Sequence, residues 1–405
     1  MRKVISPALS PNLRFADVAT SVHSLLIPHE LQLGDSLNFA GLYLKKMFHC
    51  PNVFMFMRAR EGQYMLFKAL GVKKKDEIIV QAFTCAAVVQ PILWAGAKPV
   101  YVDISEKHFS MDSKLLIDKI TSRTKVIILQ STFGIPNEFD QIRKIAKEKG
   151  IFLLLDLAHT FNPKEITKYK ADAFLLSFGR DKAISSVTGG ALVVSDKNLS
   201  SVITDLYRDV PYPNHHEIVR FLLHPLITYC IRIFFFIYPA LGKSATKIYR
   251  SSRIVPRPVN NELELTSGTI QKYPNALARL LMVQFKAVDE FNKKRIEWVR
   301  MYKKNSFVSL KIRKEVPLLR VPYLVSDRDA LVQACKKELI YLGTWYSHVI
   351  DPGEIPLKAL GYKKNECPIA EKISSQIINL PVNPTLGKED ITRVIRSIKK
   401  YELSI

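Results

Sequence analysis

The stretch SFGRDKAISSVTGGALVV, Ser177 to Val194, decides how this chain is read. It begins in one apolar run, AFLLSF (173–178), and ends in another, GALVVS (190–195). Between them, a loop of small and hydroxyl residues carries Lys182. A lysine at the end of an apolar strand asks for a partner.

The same pattern extends outward. IIVQ (78–81), PVYV (99–102), VIILQ (126–130) and IFLLLD (151–156) are further apolar runs of strand length. Helical patterns lie between several of them. In EFDQIRKIAKEKG (138–150), Phe139, Ile142, Ile145 and Ala146 share one face, and Gly150 stops the pattern. Strands apolar on both faces belong to a parallel sheet covered on both sides. Their alternation with helices reads as α/β.

In such sheets the functional loops lie beyond the carboxyl ends of the strands. Three of these loops carry polar residues: Phe83-Thr84-Cys85, Asp156 to His159, and Ser177 to Lys182. Past residue 265 the character changes. A long helical pattern, about Ala276 to Tyr302, precedes LLRVPYLV, ALVQACKKELIYLG and a closing amphipathic EDITRVIRSIKKYEL. The expected organisation is an N-terminal segment (1–50), a large domain (51–217), a hydrophobic basic insertion (218–261) and a smaller α+β domain (262–405).

Composition narrows the classes. The 405 residues are 47% hydrophobic, ample for a core and unlike a disordered chain. The five cysteines are scattered, with no C-x-x-C pair or Cys/His cluster, so neither a disulfide framework nor a metal site is expected. MRKVISPALSPNLRFADVATS has a basic start without a continuous apolar run, and no signal peptide is expected. A reducing cytoplasm is the simplest location. The net charge of +23 suits an anionic substrate, an anionic membrane surface or nucleic acid. Nucleic acid is set aside, because aromatic–basic interleaving, a helix-turn-helix and a zinc pattern are all missing from the sequence.

A strand-end aspartate, a histidine three residues on and a lysine at a nearby strand end fit a cradle for pyridoxal phosphate (PLP). That cofactor needs an amine to form a Schiff base and an acid beside its ring nitrogen. It also needs hydroxyls and amides around its phosphate, best at a helix N-terminus. Burial must lower the lysine pKa. Small loop residues leave room for a cofactor. Spacing alone leaves the question open: strand-end aspartates are commonly caps, and loop lysines are commonly solvated. A Walker loop is excluded, since G-x-x-x-x-G-K-[ST] is not present.

Four blocks resemble, in order, the DegT/StrS-type aminotransferases. They are ALGVKKKDEIIVQAFTCAAVVQPILWAGAKPVYVDI (69–104), TSRTKVIILQSTFGIPNEFDQIRKIAKEKGIFLLLDLAH (121–159), the opening stretch, and INLPVNPTLGKEDITRVIRSI (378–398). The resemblance runs from about Lys45 to the C-terminus. It implies a PLP fold-type-I transferase that aminates keto-sugars on nucleotides, working as a homodimer. It further implies that Lys182 is the Schiff-base lysine and proton shuttle, and that Asp156 pairs with the ring nitrogen. His159 then packs on the ring and Ser177 touches the phosphate. Ala59 and Arg60 stand at the phosphate loop, and Thr84 and Cys85 at the ring-flanking loop. The implied reaction is a two-half transamination with glutamate as donor and a keto-sugar as acceptor.

The chain also departs from the family. Cys85 replaces a usual aromatic, leaving Phe83 or His159 to stack. Met57-Arg58-Ala59-Arg60 replaces the usual phosphate loop, and the partner-subunit Asn-x-Arg motif has no clean match near Thr269–Pro274. Two rivals remain: another PLP reaction on the same scaffold, such as dehydration or epimerisation, and a non-enzymatic membrane-associated relative.

Residues 218–261 do not fit a soluble sugar enzyme. They hold seven Lys/Arg and no Asp or Glu, around an apolar aromatic core from Phe221 to Leu241. Three readings compete. A spanning helix is interrupted by His224, Pro225, Arg232 and Pro239. A structural insertion or oligomer contact is the plain reading. A membrane-surface element has Lys243, Lys247, Arg250 and Arg253 facing anionic lipid. On that last reading the enzyme is peripheral on the cytoplasmic face, and its acceptor sugar is lipid-linked.

Overall fold

The computed structural model describes residues 3–403, other than 9, 253, 257, 258, 260, 267 and 309–314. Arg253 therefore lies outside the described residues. The strands of the first half are β1 (Val53–Phe56), β2 (Glu77–Gln81), β3 (Thr84–Cys85), β4 (Lys98–Val102), β5 (Thr124–Gln130), β6 (Phe152–Asp156), β7 (Ala173–Ser177) and β8 (Gly190–Val194). All but β3 join one seven-stranded sheet, in the order β1-β8-β7-β6-β5-β2-β4. The pairs from β4 to β7 are parallel, while β8 runs antiparallel to β7 and β1 antiparallel to β8. The six apolar runs are thus six of the seven strands. β1, the apolar run VFMF (53–56), is the seventh.

β2 and β8 are buried along their whole length, as expected of strands covered on both faces. Phe139, Ile142 and Ala146 of the helix Phe139–Glu148 face the core. The long helical pattern is the helix Asn275–Lys304. In the smaller domain, β9 (Val321–Leu324) pairs antiparallel with β11 (Ile377–Leu380). The short β10 (Ile350–Asp351) pairs with β3 and ties this domain to the Thr84–Cys85 loop.

The first fifty residues do not stand apart. Leu31, Ala40 and Leu44 are buried in the same core cluster as Leu277 and Leu281. Ile5 bridges to Ile340 in the smaller domain. Most of the stretch 218–261 lies in a helical hairpin, formed by His215–Ile237 followed by Pro239–Ser252. Pro225 does not break the first helix, which ends at Ile237 just before Pro239 opens the second, and the two polar residues named as interruptions, His224 and Arg232, serve as anchors. His224 is buried and bonded to Ser10 (2.7 Å), and Arg232 donates to the Leu13 carbonyl (3.0 Å).

Candidate active site

A cavity opens at the carboxyl ends of the central strands, with about 1040 Å³ of empty space, part of it open to solvent. That is the size of a small-molecule site. Ala59, Arg60, Cys85, Asp156, His159, Ser177 and Lys182 all line it. Thr84 does not: it is buried behind the wall, and its hydroxyl donates to Gln130 Oε1 (2.7 Å). Phe83 is also fully buried behind the wall, packed edge-on against Tyr346. His159, not Phe83, is the flat ring on the cavity.

Lys182 sits in the loop between β7 and β8. Burial pushes its amine below the ordinary range, while Cys85 and Asp156 pull it back up. Its Nζ makes no hydrogen bond among the described residues and lies 5.1 Å from the centre of the Trp345 ring. The loop is held from behind. Asn12 Nδ2 donates to the Lys182 and Ala183 carbonyls (2.9 and 3.0 Å). Arg295, itself buried, donates to Asn12 Oδ1 (2.8 Å) and to the Ala183 carbonyl (2.7 Å).

Asp156 ends β6 and is 2% exposed. Burial raises its carboxyl pKa, and the Ala158 N–H (2.8 Å) and the Lys182 charge oppose that. His159 is held neutral by burial and by the cations Lys182 and Arg320. Its Nδ1 accepts from the Phe133 N–H (3.1 Å), so the ring proton sits on Nε2 and is donated to the Tyr346 hydroxyl (3.0 Å). Its ring lies nearly parallel to Trp345 (5.6 Å, 11°) and to Phe133 (5.7 Å, 13°).

The phosphate-loop position opens the helix Ala59–Ala69, with Ala59 and Arg60 as its first two residues. This amino end faces the cavity, as a phosphate site requires. The Arg60 side chain turns instead to Gln90 Oε1 (2.6 Å) and Glu262 (3.1 Å). The glycines of the opening stretch make room chiefly for protein rather than for a cofactor. A Cβ on Gly190 would fall 2.4 Å from Ala59 Cα, and one on Gly189 (φ +129°) 2.5 Å from the Tyr273 ring. They let the helix start sit against β8.

Several lining residues had no signal in the sequence. Trp345 and Tyr346 come from the smaller domain, Phe221 from the hairpin, and Arg58, Gln130 and Asp181 from loops and strand ends around the cavity. Asp181 Oδ1 is buried there without a hydrogen-bond partner among the described residues. An unbonded amine, a buried carboxylate, a flat neutral ring and a helix amino end around one cavity are the donor set that PLP uses. The residues present fit that cofactor.

Comparison with known proteins agrees. The model of the DegT/DnrJ/EryC1/StrS aminotransferase family matches residues 52–399. The GDP-perosamine synthase of Escherichia coli O157:H7 is 25% identical over 349 residues, covering 84% of this chain and 82% of that protein. The UDP-2-acetamido-2-deoxy-3-oxo-D-glucuronate aminotransferase of Pseudomonas aeruginosa is 35% identical over 199 residues, covering 48% of this chain and 53% of that protein. In fold, the chain is similar to NtdA of Bacillus subtilis, solved with bound cofactor PMP, at a TM-score of 0.75 and 18% identity, over 99% of this chain and 86% of that one. A lysine and an aspartate on neighbouring strand ends, met first as an oddity of the sequence, are accounted for by this conclusion: the chain belongs to the DegT/DnrJ/EryC1/StrS aminotransferase family, and it is a PLP-dependent transaminase.

Proposed function

We propose that the chain moves an amino group from glutamate to the keto group of a sugar carried on a nucleotide or a lipid, working as a homodimer. The observation that carries this reading is the unbonded, pKa-lowered Lys182 amine sharing one cavity with buried Asp156. The names of the two relatives support a sugar acceptor.

When bound, PLP supplies the electron sink for the carbon that gains or loses the amino group. The chain's own residues do the rest. Asp156 would hold a positive ring nitrogen through its carboxylate, in a site too buried for water to screen such a pair. His159 presents a flat neutral ring fixed by bonds at both nitrogens. Lys182 Nζ would move the proton from the donor carbon to the cofactor in one half of the cycle, and from the cofactor to the acceptor carbon in the other. The amino end of the helix Ala59–Ala69, which lines the cavity, would hold the phosphate. Arg58 and Arg180 add positive charge to the cavity wall, suited to an acidic donor and a phosphorylated acceptor.

The deciding experiment adds PLP to the purified chain and follows the visible absorbance band. Glutamate is expected to bleach the band, and a keto-sugar acceptor to restore it. Lys182→Ala is expected to lower turnover by about 10⁴-fold. A band that glutamate leaves untouched would favour another PLP reaction. Light scattering of the purified chain checks the dimer.

A further inference from the structure

Beyond the catalytic reading, the helical hairpin carries a surface that catalysis does not use. Its first helix changes character along its length. Ile218, Phe221 and Leu222 are buried in the protein, and Phe221 lines the active-site cavity. Toward the turn, Phe234, Phe236, Ile237 and Tyr238 are 41–60% exposed, and Leu241 on the return helix is 52% exposed. Five large apolar side chains at one hairpin tip exceed the scattered apolar exposure of an ordinary surface.

By length and composition the helix His215–Ile237 is able to cross a membrane. Its packing leaves too little free helix to do so. Thr228, Ile231 and Phe235 are buried and Arg232 is bonded to the Leu13 carbonyl, so the exposure of large apolar side chains on this helix is confined to Ile233–Ile237, about 7.5 Å of helix, against a hydrocarbon core of about 30 Å. A free stretch that short reaches interfacial depth and turns back. The return helix Pro239–Ser252 then presents Lys243 and Lys247, both exposed and without a carboxylate partner among the described residues. Apolar residues at a tip with cations just behind them match the order of layers in an anionic bilayer, acyl boundary first and phosphate headgroups next.

We propose that this tip docks the enzyme on an anionic lipid surface. Charge favours lipid over a second copy of the chain. Residues 218–261 carry seven cations and no anion within a chain of net charge +23. A two-fold contact on this patch would bring like charges together, whereas anionic headgroups complement them. The docked helix also joins the membrane to the active site. Phe221 on the cavity wall and Ile237 at the tip lie about 24 Å apart along it.

Flotation of the full chain with vesicles tests the proposal. It needs neither cofactor nor substrate, so its failure would leave the catalytic reading untouched. The chain is expected to float with phosphatidylcholine–phosphatidylglycerol vesicles, not with phosphatidylcholine alone, and to be released as salt is raised. Lys243→Ala and Lys247→Ala should each weaken partition about fivefold. Phe236→Ser with Ile237→Ser should abolish it at an unchanged melting temperature. If that double variant fails to fold, the salt series on the unmodified chain still decides. Failure of the unmodified chain to float, or flotation indifferent to lipid charge and salt, would overturn the proposal. So would a double variant that shifts the chain to a smaller oligomer, because the tip would then be a contact between copies.

Discussion

Lys182 and Asp156 could be picked from the sequence because each stands at the end of an unbroken apolar run, where charge is conspicuous. Their environment was not written there. Burial lowers the Lys182 amine from its ordinary 10.5, so its neutral form appears at lower pH than in a solvated lysine. The rate at which the cofactor-free chain captures PLP, read as growth of the visible band, should therefore rise with pH and level off below pH 10.5. A rise that continues past that value would place the amine in water. Cys85 reaches the cavity as the sequence suggested, while Thr84, its neighbour, spends its hydroxyl on Gln130. Adjacent strand residues point to opposite sides, and only the pairing of β3 with β10 decides which of the two faces the cavity. Trp345 and Tyr346 had no signal at all, since their position depends on where the smaller domain docks.

At the scale of elements, the helix Ala59–Ala69 is the part most exposed to small changes. Gly190→Ala would drive a methyl group into Ala59, which belongs to rigid backbone. Overpacking of this kind costs about 1–3 kcal/mol. The expected outcome is a lower melting temperature together with weaker PLP affinity, because the helix start is displaced from β8. The same helix carries Glu61, fully buried, with its carboxyl pushed from 4.5 up to about 8 by desolvation. A folded-state pKa raised in this way favours the fold below about pH 4.5, and that contribution is lost as pH rises through about 8. The loss is on the order of 5 kcal/mol. Glu61→Gln keeps an acceptor for the Gln271 N–H (3.0 Å). It should flatten the fall of melting temperature between pH 5 and pH 8, and an unchanged slope would contradict the assignment. Six central strands were legible as continuous apolar runs. The hairpin helix was hidden by Pro225, whose lost backbone bond is outweighed by packing on both sides of it.

Across the whole molecule, the active-site loop depends on distant segments. Asn12 from the amino-terminal segment and Arg295 from the long helix meet behind Lys182 and hold its carbonyl and that of Ala183. Asn12→Ala would remove the Asn12 donor from the Lys182 carbonyl, one of two donors from the Ala183 carbonyl and one acceptor from the buried Arg295 guanidinium, at about 1–3 kcal/mol. Thermal melting should show the loss, and PLP affinity should fall with it although residue 12 does not line the cavity. By itself, the sequence determined the α/β class, six of the seven strands of the sheet, the candidate lysine and aspartate and the family, because all of these are carried by local runs of residue type and their order. Tertiary structure alone decided that the first fifty residues belong to the core, that the smaller domain closes the cavity with Trp345 and Tyr346, and that the basic apolar stretch is a hairpin with one buried half and one exposed tip. Each of these depends on contacts between residues far apart in the chain, which no local period records.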